Sequence, residues 1–236
     1  MSNPRKNNNL VRGAWWVVAL AAVACGGKPE AAPAPEPEPT APLPTAGLAG
    51  QRVALFPLTL IAAEDSLHWD SLLVDRRASL ARADSVIGSL IAARAPEVTW
   101  VMPDELRRAA RRSGGVAADP DQMGTAILRA ERLADVPDPL RSQLRTLVAL
   151  AGGRYALVPA ALVYRVAGRP HGRMAERPDS SAGKRAGGQA ATAELSVVLI
   201  DVRLGRVGWR TVARGEGDHP WSALTQAVKA LTPGLP

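Results

Sequence analysis

The sequence predicts an α/β fold: one mixed sheet, parallel plus antiparallel, covered by helices in the order β-α-β-α-α-α-β-β-β-α. Three observations predict it. Up to about residue 151, short apolar runs alternate with apolar residues spaced three and four apart, the pattern of strands separated by amphipathic helices. From Tyr155 onward the runs become strand-like and are divided by turn residues, which suits antiparallel neighbours. A final helical stripe closes the chain, so one sheet with helices on it accommodates every element.

The elements follow in order. Val53-Ala54-Leu55-Phe56-Pro57-Leu58 reads as the first buried strand, with Pro57 marking its end or an edge. Leu80, Ala83, Ile87, Leu90 and Ile91 then share one helical face, with Leu72 and Leu73 upstream, and Ala95-Pro96 ends the helix. Val98-Thr99-Trp100-Val101 is a second strand. Pro103-Asp104-Glu105 opens a helix, since proline suits the first position and acids suit the positive end of the dipole. Ser113-Gly114-Gly115 stops it, and a loop is expected over 113–122. Ala126, Ile127, Ala130 and Leu133 suggest a short helix. Asp138-Pro139 reads as a cap followed by proline at the first helical position. Leu140, Leu144, Leu147, Val148 and Ala151 form that helix's apolar face, which Gly152-Gly153 closes. Tyr155–Val158 and Leu162–Val166 read as one strand bent at Pro159, and Glu194–Val202 and Val207–Ala213 pair around a turn at Gly205. Trp221, Leu224, Val228 and Leu231 form the inner stripe of a last helix begun by Pro220 and ended by Pro233-Gly234.

The first 50 residues have a different character. Arg5, Lys6 and Arg12 precede a wholly apolar stretch, Ala14–Ala24, far short of the roughly 20 residues that span a bilayer. Basic then short apolar then small residues is the layout of a secretory signal, here residues 1–24. The chain's single cysteine follows at once, in Ala22-Val23-Ala24-Cys25-Gly26-Gly27. This segment resembles the lipobox of bacterial lipoproteins. The resemblance implies cleavage before Cys25, a diacylglyceryl group on its thiol and acylation of the new amino group. Two or three acyl chains make a stable anchor where one does not. Ala22 departs from the commoner Leu, Val or Ile. Gly26 stands where an Asp favours retention in the inner membrane, so the outer membrane, facing the periplasm, is the expected location. Lys28–Thr45 alternates Pro, Ala and Glu without a hydrophobic pattern. Residues 25–50 therefore read as the lipidated cysteine and a semi-rigid tether, of which Lys28–Thr45 reaches on the order of 50 Å at ~3.1 Å per residue. Residues 51–236 are left as the globular α/β domain, with a flexible basic loop over 167–190.

Composition narrows the classes of partner. The net charge is +7, with Arg5, Lys6 and Arg12 in the signal, and nearly all the positive charge is arginine. That bias and an exported location argue against nucleic acid, while leaving anionic cell-wall polymers or lipid head groups as partners. With one cysteine, no intramolecular disulfide forms and packing must supply the stability.

Motifs for chemistry are sparse. His68, His171 and His219 fall in no metal-ligand spacing, and His219 before Pro220 reads as a helix cap. Asp65, Asp70 and Asp75, spaced by five, do not share a helical face. Gly88-Ser89 lacks the nucleophile elbow, and Gly183-Lys184-Arg185 lacks the phosphate-loop glycine spacing. No catalytic residue, metal site or cofactor is expected. Arg107, Arg108, Arg111 and Arg112 are the one compact basic cluster, a candidate anion- or partner-binding patch weighed against a solvated helix face. The loop cations Arg169, Arg173, Arg177, Lys184 and Arg185 are weighed in the same way.

Three stretches together carry a family resemblance. Val53-Ala54-Leu55-Phe56-Pro57 resembles the first strand of CsgG-like and TolB-N-terminal-like envelope domains. Leu147–Val158, with Gly153-Arg154-Tyr155 in the middle, is similar to their helix–turn–strand element. Leu199-Ile200-Asp201-Val202-Arg203-Leu204-Gly205, ending at Trp209, is similar to their Leu-Ile-Asp hairpin. The resemblance covers roughly residues 51–232 and implies a binding or assembly module, not an enzyme. The polar loop 167–190 departs from pore-forming members, whose hairpins alternate apolar residues. The expected function is a lipid-anchored protein that binds another envelope component. An envelope hydrolase without a recognisable motif, or a subunit of an oligomeric secretion assembly, are the alternatives.

Overall fold

A six-stranded mixed sheet organises the described residues, 47–168 and 190–231, of the computed structural model. The signal segment 1–24, Cys25, most of the tether and residues 169–189 of the basic loop lie outside the described residues. The strands are β1 (Arg52–Leu55), β2 (Ile61–Ala63), β3 (Thr99–Val101), β4 (Tyr155–Val166), β5 (Ala191–Asp201) and β6 (Arg206–Gly217). The helices are α1 (Arg76–Arg94), α2 (Pro103–Arg112), α3 (Leu140–Leu150) and α4 (Pro220–Lys229). The spatial order is β3-β1-β4-β5-β6, and β2 lies beside β4 further along the side that β1 occupies. β1 pairs in parallel with β3 and β4, and β4, β5 and β6 are antiparallel neighbours. The mixed sheet is thus the one the sequence predicts, with parallel pairing early and antiparallel pairing late.

Alternation along the strands builds two cores. Val53 and Leu55 of β1, Leu162 and Tyr164 of β4, and Leu195, Val197 and Leu199 of β5 face α1 and α4. Ala54, Phe56, Val158 and Val198 face the opposite layer, made by α2 and α3 through Leu106, Leu140, Leu144 and Leu147. Leu48 already lies in the first core, so the packed domain begins inside the stretch read as tether. Trp69 meets Tyr164 edge-on, ring centroids 5.3 Å apart. α4 is tied to α1 by Arg94, which donates to the carbonyls of Val228 (3.0 Å) and Lys229 (2.5 Å), and by Arg82 over the Trp221 ring.

Several elements depart from the expected ones. The first strand ends at Leu55, before Pro57, and the chain resumes pairing as β2, which sequence reading missed because three residues carry too little pattern. The segment around 126–133 is not an α-helix but a 3₁₀ turn, Thr125–Arg129; buried Thr125 holds it to the β1–β2 link through a 2.7 Å bond between its hydroxyl and that of Thr59. A 3₁₀ turn at Pro120–Gln122 also falls within the expected loop. Pro139, not Asp138, is the N-cap of α3, and no side chain caps that end of the helix. Asp75 caps α1 by accepting from the Ala78 amide (2.9 Å), and His219 caps α4 through Nδ1 and the Trp221 amide. β6 continues through Gly215 and Gly217 to the start of α4, where the sequence suggested it had ended.

Candidate functional site

The chain path creates a crevice at the carboxyl ends of β1 and β3. From β1 the chain crosses one face through α1 to β3, then returns over the other face through α2 and α3 to β4, on the far side of β1. Connections leaving in opposite senses open a gap beyond the strand ends, the usual place for a binding site in an open α/β sheet. Here the gap is a cavity of about 760 Å³ lined by Thr59, the first turns of α1, Arg107 and Arg111 of α2, and Asp119, Asp121 and Gln122. A smaller recess of about 310 Å³ adjoins it, sharing Ala81 and Arg107 and reaching Asp84, Ser85, Ser89 and Met102.

Arg107 is the centre of this region. Its Nε and Nη2 donate to both oxygens of Asp121 (2.9 and 2.7 Å), a bidentate fork. Nη2 also donates to Asp84 Oδ2 (2.6 Å) and Nη1 to Asp104 Oδ1 (2.8 Å). Asp84 Oδ1 accepts the Leu58 amide (2.8 Å), so a single buried carboxylate ties α1 to α2 and to the chain after β1. Asp84 is only 6% exposed. Burial pushes its carboxyl up to about 6 from an ordinary 3.8, while the Leu58 amide and Arg107 pull it back down. Arg107 moves the other way: its bonds to Asp121, then to Asp84 and Asp104, hold the guanidinium protonated above its usual range despite desolvation. The difference is one of setting. Arg107 has three acceptors and an opening to solvent, whereas Asp84 has one cation and almost no water.

The four arginines of the basic cluster separate. Arg107 is engaged by three carboxylates. Arg111 projects into the crevice mouth beside Arg77, and both are exposed. Arg76 at the same mouth donates to the Thr59 carbonyl (2.9 Å). Arg108 and Arg112 turn instead to a different recess of about 260 Å³, shared with Arg52 at the start of β1. Cys25 and the cations over 169–189 lie outside the described residues. The sequence reading took Asp104 only as a first-turn acid of its helix and singled out neither Asp84 nor Asp121 as a site residue. Asp84 had a usable signal: it stands four residues after Leu80 and three before Ile87, an acid on an apolar stripe. Asp121 had none, because it reaches Arg107 from a separate turn. Among the described residues, no group of three or more His, Cys, Asp or Glu side chains is placed to hold a metal ion.

At the opposite end of the sheet, Arg154 pairs with Asp201, donating through Nε (3.0 Å) and Nη2 (2.5 Å). Burial pushes the Asp201 carboxyl up, but Arg154 and the amides of Leu204 and Arg203 outweigh it and hold the group below its ordinary range. This contact pins the β5–β6 turn to the start of β4.

No family model matches the chain, and no curated protein does. Solved structures with a similar course include the LpoB C-terminal domain from Escherichia coli, at 16% identity and TM-score 0.34, covering 71% of this chain and 83% of that one. The NMR structure of E. coli LpoB matches at 14% identity and TM-score 0.32, covering 92% and 88%. Lipoprotein GNA1162 from Neisseria meningitidis matches at 14% identity and TM-score 0.31, covering 71% and 83%. Likenesses of this strength assign neither partner nor activity to this chain.

Proposed function

We propose that the protein is a non-enzymatic, lipid-anchored envelope module, held by Cys25 and presenting the carboxyl-end crevice to another envelope protein. The observation that carries the reading is the arrangement at the N-terminus: a basic and apolar leader, Cys25 directly after it, and a Pro/Ala/Glu stretch running into the domain at Leu48. The tether joins next to Arg52, at one end of β1, and the crevice lies beyond the other end. Anchoring fixes one end of the molecule and raises its local concentration near membrane partners. Charge in the crevice supports docking rather than proton transfer: buried Asp84 is paired with Arg107, which Asp121 also holds, and Arg77 and Arg111 remain exposed for an acidic partner surface. The likeness to CsgG-like and TolB-N-terminal-like domains in residues 51–232 belongs to the same reading, as do the outer-membrane location and a role in assembly.

Two measurements test it in a lipoprotein-exporting bacterium. Metabolic labelling with a clickable palmitate should mark the wild-type protein and not Cys25→Ala, which should also leave the membrane fraction. Equal labelling of the two would remove the anchor. A photo-crosslinking residue at position 111 should capture a discrete envelope protein that the same residue at position 212, on β6, does not. Identical capture at both positions, or none at 111, would reject the crevice as the docking face.

A further inference from the structure

We propose that the end of the domain where the tether joins is a membrane-apposed face that binds anionic phospholipid headgroups. It rests on the anchoring reading only for its orientation.

Arg52 lies between two recesses at this end. One, of about 570 Å³, is lined by Arg52, Arg145, Gly152, Arg154 and Arg203; the other is the recess of about 260 Å³ that Arg52 shares with Arg108 and Arg112. The shared residue makes them one continuous surface, gathered from β1, α2, α3 and the β5–β6 turn. Arg154 is committed to Asp201. Arg52, Arg108, Arg112, Arg145 and Arg203 are all exposed, and none is in an ion pair among the described residues. The acids nearby are Glu105, on the wall of the smaller recess, and Glu97, whose carbonyl accepts the Gly50 amide. Five free cations therefore outnumber the local acids. Arg108 and Arg112 also sit in the last turns of α2, where cations offset the negative end of the dipole, but that effect does not extend to Arg52, Arg145 or Arg203.

Two further observations select a lipid surface over a soluble polyanion. Leu150 and Leu204 are exposed at this end, at 45% and 58%, among the arginines. Apolar side chains ringed by basic ones suit the boundary between headgroups and acyl chains, and have no role against a purely ionic ligand. The described chain also begins here: Gln51 lines the larger recess and Leu48 is in the core, so residues 26–46 connect Cys25 to this end. A lipid on Cys25 is joined to the domain at this end, and the tether's reach leaves this face free to meet the bilayer.

The test uses protein without lipid, so that its failure is separable from failure of the anchor. The described cores draw on nothing before Leu48, and the chain from residue 25 with Cys25→Ser retains all of them. Its sedimentation is followed with vesicles of phosphatidylcholine alone and of phosphatidylcholine mixed with phosphatidylglycerol. Binding is expected only to the mixed vesicles and is expected to fall with added salt. Each basic residue near an anionic surface contributes about fivefold, so R108E/R112E/R145E/R203E should lower partitioning by more than about 100-fold. The two-residue reversal R76E/R77E, at the crevice, should leave it within a few-fold, and R108E/R112E alone, the same number of charges, should not. L150S/L204S should weaken vesicle binding while leaving binding of soluble polyphosphate unchanged. Urea midpoints of all variants verify that the fold is retained. No binding to the mixed vesicles, or equal loss from both charge reversals, would overturn the proposal. Leucine variants without effect would reassign the face to a soluble polyanion. None of these results bears on palmitate labelling of Cys25.

Discussion

Gly215→Ala is expected to lower stability by at least about 3 kcal/mol and to loosen α4 from the sheet. A Cβ on Gly215 meets Gln226 C at 2.5 Å, Ala223 O at 2.6 Å and the amide nitrogen of Ala227, all backbone atoms of α4 with no side chain to rotate aside. Overpacking alone costs roughly 1–3 kcal/mol. Here relief requires the helix to move away, which exposes Leu224, Val228 and Leu231, each buried at 1% or less. Burial of such a side chain contributes about 1.5–3 kcal/mol, so loss of two or three approaches the whole stability of a typical domain. The control is Gly208→Ala on the same strand. Its nearest neighbour would be the Leu199 carbonyl at 3.8 Å, and its effect should be neutral or slightly stabilising through the unfolded chain. Urea unfolding of both variants checks this. A Gly215→Ala protein with a wild-type midpoint would show that α4 is not seated on β6 as described.

Arg107→Ala is expected to cost about 3 kcal/mol at neutral pH and much less in acid. Removing one member of a buried pair leaves the other charge uncompensated. An ionised Asp84 would then have only the Leu58 amide to receive it, so the carboxyl takes up a proton instead. Asp84 has a folded pKa of about 6, raised above its ordinary 3.8 by burial. A raised carboxyl pKa means that the folded state holds the proton more tightly than the unfolded one. The stability this group contributes is complete below pH 4 and is lost as pH rises through 6, a change on the order of 3 kcal/mol. Without Arg107 the pKa rises further, and the acid rescue extends to higher pH. Asp84→Asn keeps an acceptor for the Leu58 amide and removes the titration. The difference in stability between wild type and Asp84→Asn should therefore shift toward the variant as pH increases from 4 to 7. Denaturant midpoints at several pH values give that difference directly, and the acid-weakening contribution of Asp201 cancels in it. A difference independent of pH would show that Asp84 does not titrate in this range.

The legibility of the fold varied with the length over which a pattern could act. α1 and α2 announced themselves through local spacing and punctuation, and the structure places Pro103 at the first position of α2 with Asp104 and Glu105 in its first turn. β5 stood out through Glu194–Val202, a mostly apolar run long enough to admit few other conformations, and the structure starts the strand earlier, at Ala191. β2 and the Thr125–Arg129 turn did not, since three to five residues hold too little periodicity and take their conformation from β4 and Thr59. The sequence reading stopped the last strand at Ala213, short of Gly215 and Gly217. In the structure they let a helix backbone approach the sheet closely, a reason that only the partner element reveals. The candidate site divides in the same way. The four arginines of α2 were visible as a cluster, but i to i+4 spacing assigns faces without saying what each face meets.

By itself, the sequence determined the class of fold, the parallel-then-antiparallel pairing, the start of α2 and the apolar faces of α1, α3 and α4. These follow from local periodicity, capping and alternation, which act within a few residues of one another. Only the tertiary structure decided that β1 lies between β3 and β4, that Arg107 is surrounded by carboxylates from three separate segments, and that Arg108 and Arg112 join Arg52, Arg145 and Arg203 at the end where the tether arrives. Those outcomes depend on contacts between residues tens of positions apart, and no local pattern in the chain encodes which distant side chains will meet.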